Sequence, residues 1–347
     1  MKVCFLAALV CLPAAALAQK SYTLPCLAQT IAPSADGTVL WFTCRTGAKW
    51  DQFQKEAAAA KAAGKEAPSY GTNAFQDALY ALDLGNGNVA KLGEGMAQIE
   101  IHPAPKAALA VVTFPQDKGH DKAILYKAGM KGPELPIDPS FLLWSADATH
   151  LYFYGGTTLQ QDAWNLLGEL ELATMKKSQT KLRHPGENAY VCERDGHVYA
   201  GDPAADKPGS VNDEYDAEGK FVTSAHRFPA GHFSAQCKYV ATEDSWHGPL
   251  PWFVVDTASG QQLMEIQFGG EGKPGEYDFR AWNPARETVL LRTAWSDDKM
   301  TVEAFDVVLR KALLSSTEAD DAPVAWSADG KAIVVARGKE LVFVPVP

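Results

Sequence analysis

The chain has 347 residues, of which 46% are hydrophobic, and a formal net charge of −10 at neutral pH. This length accommodates one large all-β domain or two ordinary domains. The negative charge, with no basic cluster along the chain, argues against a nucleic-acid partner, because binding to a phosphate backbone depends on Lys and Arg.

The first predicted element is a cleaved signal peptide over residues 1–18. Lys2 precedes an apolar run that ends at Leu17, and Ala16 and Ala18 are the small residues typical of a cleavage site. The run is short for a transmembrane helix, and no later segment is apolar enough over a sufficient length. We therefore expect an exported protein, periplasmic or secreted, with no membrane insertion.

A short motif then recurs along the chain, in which one apolar strand leads through a tight turn into a second. The copies begin at Ala32, Ile101, Trp144, Val191, Phe233, Trp282 and Trp326. From the second copy on they are roughly 40 to 50 residues apart, the period of four-stranded propeller blades. Asp-Gly turns, as at Asp329–Gly330, favour hairpins because Gly accepts positive φ. The pattern predicts an all-β, seven-bladed β-propeller that forms one domain over residues 19–347.

The long segment 45–76 separates the first two copies and is predicted to be a helical insertion in the first blade. Its Ala-rich stretch with interspersed Lys and Glu favours a helix, and Gly64 suits the end of that helix. Loops longer than about 15 residues inside a compact repeat are usually functional or disordered. This segment is therefore a candidate functional region.

The two ends of the chain are expected to meet in one blade. The last copy of the motif supplies only three strands, whereas segment 19–27 near the N-terminus offers a spare strand at Ser21–Leu24. Pairing this strand at the outer edge of the last blade would close the ring and remove an open sheet junction. We therefore predict a closing strand within residues 19–27.

Four of the six cysteines follow the signal peptide, an even number that favours disulfides in an oxidising compartment. Cys26 and Cys44 face each other across the first predicted hairpin, within the separation that a disulfide requires. Cys192 and Cys237 lie near equivalent turns of the fourth and fifth copies, which adjacent blades would bring together. The alternative is four buried free thiols.

Two segments give the chain a resemblance to a known family. Trp326–Gly330 with the apolar strand that follows, and Leu79–Leu84 with the turn Gly85–Gly87, resemble repeats of the TolB-like (WD-repeat-like) β-propeller family. The resemblance covers nearly all of the chain after the signal peptide, without the α/β domain that precedes the propeller in TolB. It implies a propeller fold and does not imply TolB's role with a lipoprotein partner.

The loops on the face opposite the Asp-Gly turns are expected to form a binding surface. Aromatic and histidine side chains beside carboxylates are typical of recognition surfaces, because aromatic rings give a large contact area at low entropic cost. The predicted binding residues are Trp50, His120, Trp164, Trp246, His247 and Trp295. The alternative is that these tryptophans pack loops onto the blade edges.

No metal site is predicted. Asp117, His120 and Asp121 could supply ligands, and segment 212–219 loosely resembles a calcium loop, but neither has an established ligand spacing. Solvated loop charges are the preferred interpretation of both.

No catalytic residue and no cofactor are predicted either, because the chain lacks a nucleophile elbow, a Cys-x-x-Cys pair and a phosphate-binding loop. A site in the axial channel stays open, since propeller enzymes place ligands there from several blades. The polar candidates on predicted inner strands are Glu100, His102, Glu193 and Asp278.

The leading hypothesis is a non-catalytic binding or scaffold module of the cell envelope, monomeric, with a protein, peptide or glycan as its partner. The alternative is a metal-assisted hydrolase or lactonase with its site in the axial channel. Convergence of at least three carboxylates or histidines in the channel would favour the enzyme.

Overall fold

The computed structural model describes residues 20–66, 68–70, 74–118, 120–139, 142–154, 165–184, 190–194, 197–201, 212–216, 221–226, 231–243, 252–266, 277–296, 299–319 and 321–347. The predicted signal peptide lies outside these residues.

The described chain is almost entirely β-structure, with one helix. Its first half comprises β1 (Ser21–Thr23), β2 (Ala28–Pro33), β3 (Val39–Thr46), α1 (Ala48–Ala62), β4 (Gln76–Asp83), β5 (Val89–Met96), β6 (Glu100–Pro103), β7 (Leu109–Phe114), β8 (Lys122–Lys127), β9 (Met130–Glu134), β10 (Leu142–Trp144), β11 (His150–Tyr154), β12 (Asn165–Glu171) and β13 (Lys176–His184). Its second half comprises β14 (Tyr190–Arg194), β15 (His197–Gly201), β16 (Asn212–Tyr215), β17 (Phe221–His226), β18 (His232–Phe233), β19 (Tyr239–Glu243), β20 (Trp252–Asp256), β21 (Gln262–Ile266), β22 (Tyr277–Trp282), β23 (Val289–Ser296), β24 (Lys299–Asp306), β25 (Lys311–Ala319), β26 (Val324–Trp326), β27 (Ala332–Arg337) and β28 (Glu340–Pro345).

These strands form antiparallel sheets of four, in which consecutive strands pair from the inside outward. The second strand of a sheet, such as β3 or β23, is buried along nearly its whole length, whereas the fourth strand, such as β5, is half-buried or exposed. When both faces of a strand are packed, nearly all of its side chains are buried and its sequence is a continuous apolar run. This explains the composition of β3 and β23.

The sheets surround a common axis as in a β-propeller. The first strand β2 contacts both β26 and β6, and β18 contacts both β14 and β22, so the first strands line the axis. At the outer edge of the last sheet, β1 pairs with β28 in the register Tyr22↔Leu341. A backbone hydrogen bond from Leu24 N to Lys339 O continues this pairing. The N-terminal strand therefore completes the C-terminal sheet.

The number of packed blades corrects the expectation of a seven-bladed propeller. Hydrogen bonding defines seven four-stranded sheets. Packed side-chain cores are described for six of them, and the sheet β14–β17 is described by its backbone pairing. A sheet counts as a blade when it packs face to face against the neighbouring sheets. Strand pairing within the sheet does not show this packing. The described packing therefore establishes six blades, not the seven that the repeats predicted.

The tryptophans of the repeat motif join neighbouring blades. Each indole N–H donates to a backbone carbonyl on the first strand of the preceding blade, which satisfies a buried donor and ties the two strands together. The bonds are Trp144 Nε1 to His102 O (3.0 Å), Trp282 Nε1 to His232 O (2.6 Å) and Trp326 Nε1 to Ala281 O (3.4 Å).

The Ser-x-Asp part of the motif builds the turn that follows the first strand in three of the sheets, at Ser34, Ser145 and Ser327. In the third sheet, the Ser145 hydroxyl donates to Asp147 Oδ1 (2.7 Å) and accepts a hydrogen bond from His150 N (2.9 Å). The Asp147 carboxylate also accepts from the Thr149 amide and hydroxyl. Such side-chain contacts to the local backbone stabilise tight turns, which explains why the motif recurs.

The turn containing Asp147 is expected to make stability depend on pH. Hydrogen bonds from Thr149 and then Ser145 lower the pKa of Asp147 to about 2. A depressed folded-state pKa contributes stability that is present above the unfolded pKa of about 4 and lost as the pH falls through about 2. Asp147→Asn should therefore lower the free energy of unfolding at pH 7 by at most about 1 kcal/mol, because solvent screens this exposed group.

Urea denaturation of the wild type and Asp147→Asn between pH 7 and pH 2 measures this effect, with Asp51→Asn on α1 as the control. The gap between the wild type and Asp147→Asn should close toward pH 2. A gap that stays constant over this range would contradict the assignment.

The cysteines form the predicted disulfide between Cys26 and Cys44, whose Cα atoms are 6.1 Å apart. Cys237 is also disulfide-bonded. The predicted partner of Cys237 is Cys192, whose side chain lies outside the described part of the chain. No helix among the described residues has the length and apolar character needed to cross a bilayer.

Candidate functional site

A cavity of about 460 Å³ lies beside the axis, where the first strands β6, β10, β18 and β22 run into their turns. It is therefore on the face of the Ser-x-Asp turns. Its described lining is formed by Pro105, Leu143, Trp144, Ala146, Gly231, His232, Phe233, Ser234, Ala235, Phe279, Arg280, Ala281, Trp282, Asn283 and Pro284. The volume falls within the range of about 300–1,000 Å³ that is typical of small-ligand pockets.

Aromatic rings form much of the wall and are held by one another. The His232 ring stacks on Phe279 with centroids 5.1 Å apart, and Phe279 contacts Trp282 at 5.9 Å. Trp282 is further fixed by its bond to the His232 carbonyl and is only 9% exposed. Because these rings are already ordered, a ligand that binds against them pays little entropy to immobilise them.

Arg280 provides the positive charge of the described lining. Its Nε donates to Thr293 Oγ1 (2.9 Å), and its guanidinium carbon lies 4.8 Å above the centre of the Trp295 ring. One terminal nitrogen is 3.9 Å from Asp278 Oδ2. Thr293, Trp295 and Asp278, which hold the guanidinium, are not among the described lining residues of the cavity. Burial lowers the pKa of Arg280 and Asp278 opposes that shift, so the group stays charged at neutral pH.

Two further ionisable residues lie in or beside the described lining: His232 belongs to it, and Glu287 contacts Ser234 of the lining. Burial lowers the pKa of His232, which keeps its ring neutral near pH 7. No carboxylate belongs to the described lining. The nearby Glu287 instead accepts hydrogen bonds from the Ser234 hydroxyl and the Gln236 amide. The described lining thus combines packed aromatic side chains with Arg280 and the His232 ring.

The predicted binding residue Trp50 packs the helix α1 onto the first blade. Its ring stacks on Phe53 (5.1 Å) and meets Phe75 edge-on (5.3 Å), while the Arg45 guanidinium lies over it at 5.5 Å. Arg45 in turn contacts the buried Asp77 carboxylate at 3.3 Å. Trp50 therefore packs within the fold, and its role in binding stays a prediction.

Of the other predicted binding residues, the structure describes Trp295 and His120. Trp295 lies near the end of β23, half-buried behind Arg280. His120 is 88% exposed, and its Nδ1 lies 3.6 Å from Asp138 Oδ2. Trp164, Trp246 and His247 lie outside the described residues.

The polar candidates for an axial site form two pairs on separate strands. His102 Nε2 lies 3.5 Å from Glu100 Oε2 on β6, and this contact lowers the pKa of Glu100. Asp278 pairs with Arg280 on β22. The side chain of Glu193 lies outside the described part. Among the residues that the structure describes, no group of three His, Cys, Asp or Glu side chains could hold a metal ion.

The cavity residues were not identified as a site from the sequence. Trp144 and Trp282 were recognised there only as markers of the repeat, and Arg280 carried no signal. One weak signal was present in the sequence. Asp278 and Arg280 are two residues apart in a predicted strand, and this spacing places both side chains on the same face of β22. Such a pair is too common to indicate a site by itself.

The sequence matches no family model and no curated protein. The structure is similar to that of hydrazine synthase from Kuenenia stuttgartiensis, with a TM-score of 0.55 and 15% identity over 93% of this chain and 96% of that chain. It is also similar to the β-propeller domain of the Trilobed protease from Pyrococcus furiosus, with a TM-score of 0.52 and 9% identity over 91% and 93%. A third similar structure is an uncharacterized protein of Listeria monocytogenes, with a TM-score of 0.51 and 10% identity over 90% of both chains. At these identities the similarity shows the β-propeller fold alone.

Proposed function

We propose that this protein is an exported binding module of the cell envelope that holds part of a peptide, protein or glycan partner in the axial cavity. The observation that carries the proposal is a cavity of about 460 Å³ beside the axis, whose described lining includes aromatic side chains that are packed against one another. Large apolar pockets with a few polar groups are the usual places where proteins bind ligands.

The proposal places binding on the turn face, opposite the loops that the sequence favoured. Two of the loop residues are engaged within the fold, because Trp50 packs α1 and Trp295 supports Arg280. The Cys26–Cys44 disulfide supports the exported compartment, since disulfides persist in oxidising environments. Membership of the TolB-like propeller family remains part of the proposal and rests on the repeats.

Filling the mouth of the cavity is expected to abolish binding. Ala235 and Ala146 are exposed turn residues of the lining, so Ala235→Trp and Ala146→Trp should obstruct the cavity without disturbing a packed core. The matched control is Ala258→Trp, at an exposed turn of the outer hairpin β20–β21. Mature protein of each variant is immobilised, envelope extract is applied, and retained peptides and glycans are identified by mass spectrometry.

We expect at least one ligand to be retained by the wild type and by Ala258→Trp, and to be reduced more than about tenfold by both cavity-filling variants. Thermal denaturation of all variants verifies that they are folded. Retention of the same ligands by all folded variants would contradict binding in the cavity.

A further inference from the structure

The link between the first and second blades holds a strained backbone conformation. Gln98, between β5 and β6, has a φ of 76°, in the left-handed region that favours glycine. A residue with a side chain keeps this conformation only where its surroundings fix it. Two hydrogen bonds hold the link, from Gln98 N to Asp77 Oδ2 (2.7 Å) and from Ala97 N to Phe75 O (3.2 Å). The conformation of the link therefore depends on the chain at the start of β4.

Asp77 and Phe75 also carry the contacts of the helix α1 with this blade. The Arg45 guanidinium lies 5.3 Å from the centre of the Phe75 ring and 5.5 Å from that of Trp50 on α1. Arg45 Nε donates to Asp77 Oδ1 (3.3 Å), and the Asp77 side chain is only 3% exposed. Trp50 also meets the Phe75 ring edge-on at 5.3 Å. Asp77 thus binds the guanidinium beside α1 with one carboxylate oxygen and the strained link with the other.

Few contacts hold α1 on the blade. None of the 15 residues of this described helix is fully buried. Isolated helices of such a length are marginal in water, so the order of α1 depends on its docking. The rings of Trp50 and Phe53 dock it against Phe75. The Tyr70 hydroxyl adds a hydrogen bond to Glu56 Oε2 (2.8 Å). Elements with few buried apolar contacts open at a low cost in free energy.

We infer that α1 is a docked arm whose release is transmitted through Asp77 to the axis of the propeller. When α1 leaves the blade, Trp50 uncovers the Arg45 guanidinium, and water competes for the contact of that group with Asp77. A carboxylate that Arg45 no longer fixes holds the Gln98 amide less firmly, so the left-handed link relaxes. Because β6 begins at Glu100, this relaxation reaches a strand that lines the axis. By linkage, a partner that keeps α1 docked also orders this strand.

Removing the ring that docks α1 tests the coupling. In Trp50→Ala, we expect amide hydrogen exchange to accelerate in α1 and, by at least about tenfold, at the amides of Ala97 and Gln98. Mass spectrometry of the mature protein measures exchange in both regions. The matched control is Trp295→Ala, which removes a tryptophan that lies under Arg280 in another blade. Exchange at Ala97 and Gln98 should be unchanged in this control.

Two further variants test the route through Asp77. Asp77→Asn keeps an oxygen that can accept from the Gln98 amide and removes the charge that pairs with Arg45. Arg45→Lys keeps the positive charge and loses the planar group that lies against Trp50. In either background, adding Trp50→Ala should change exchange at Gln98 by less than about twofold, because the transmitting contact is already absent. Either background is sufficient by itself if the other variant does not fold.

Three results would overturn the coupling. The first is unchanged exchange at Gln98 in Trp50→Ala, whether or not α1 exchanges faster. The second is an equal acceleration in β23 and β24, which means that the whole fold is destabilised. The third is an undiminished effect of Trp50→Ala in the Asp77→Asn or Arg45→Lys background, which means that the route does not pass through this ion pair. These measurements involve no ligand, so their outcome is independent of the capture experiment that tests the proposed function.

Discussion

Replacement of Glu303 by alanine is expected to lower the free energy of unfolding by about 3–5 kcal/mol, the usual cost of removing one partner of a buried ion pair. Arg292 and Glu303 are cross-strand neighbours on β23 and β24. Arg292 donates from Nε (2.8 Å) and from a terminal nitrogen (2.7 Å) to Glu303 Oε2, and their side chains are 9% and 11% exposed. The Arg292 guanidinium also lies 3.8 Å over Phe305. Without Glu303, this charge stays buried between blades.

A double variant tests the physical reason for this loss. Arg292→Met combined with Glu303→Leu removes both charges and keeps similar volumes, so it should recover most of the stability lost in Glu303→Ala. The exposed pair Lys91–Glu94, with side chains 48% and 63% exposed, provides the control. Glu94→Ala should cost less than about 1 kcal/mol. Urea denaturation measures the free energy of unfolding of the wild type, Glu303→Ala, the double variant and Glu94→Ala. A double variant no more stable than Glu303→Ala would contradict the explanation that the loss comes from the buried charge.

Removal of the Cys26–Cys44 disulfide is expected to lower the free energy of unfolding by about 2–4 kcal/mol, because the unfolded chain gains conformational freedom. The bridge spans 18 residues and anchors the segment just after β1 to the fully buried Cys44 on β3. The hydroxyl of Tyr22 and the ammonium of Lys20 also donate to the Leu84 carbonyl of the first blade. The disulfide therefore links the closing strand of the last blade to the first blade.

The loss should be concentrated at that junction. In the double variant Cys26→Ala/Cys44→Ala, we expect hydrogen exchange to accelerate most at the amides of Leu24 and Phe343, whose acceptors are Lys339 O and Lys20 O. Exchange in β23 and β24, which lie in another blade, serves as the internal control. Chemical denaturation measures the total change. Uniform acceleration in both regions would argue against a local role in ring closure.

Local signals carried most of the fold prediction. The turns at Ser34, Ser145 and Ser327 are stabilised by their own Ser, Asp and backbone groups, so the repeat can be recognised within a few residues of sequence. The disulfide prediction rested on the same locality, because Cys26 and Cys44 belong to one hairpin and its short connection. The helix α1 was predictable from its composition, since Ala, Lys and Glu favour a helix without tertiary contacts.

The number of packed blades was less accessible from the sequence. A repeated motif reports a hairpin, whereas a blade depends on how two neighbouring sheets fit face to face. The motif at Val191 is the most degraded copy, and it belongs to the sheet described by backbone pairing. The expectation of seven packed blades therefore exceeded what hairpin signals alone determine.

The sequence by itself determined the β-class, the strand pairing around each turn and one disulfide, because these depend on residues close together in the chain. The tertiary structure alone decided the position of the candidate site. Trp144, His232 and Arg280 lie on three different first strands and meet only when those strands surround one axis. The tertiary structure also showed that Trp50 and Trp295 contact and support other side chains. The sequence could not show this, because a tryptophan that packs within the fold and one that binds a ligand occur in the same local sequence patterns. The physical reason is the same in both cases: a cavity and its charge arise from the packing of distant segments, which no local pattern encodes.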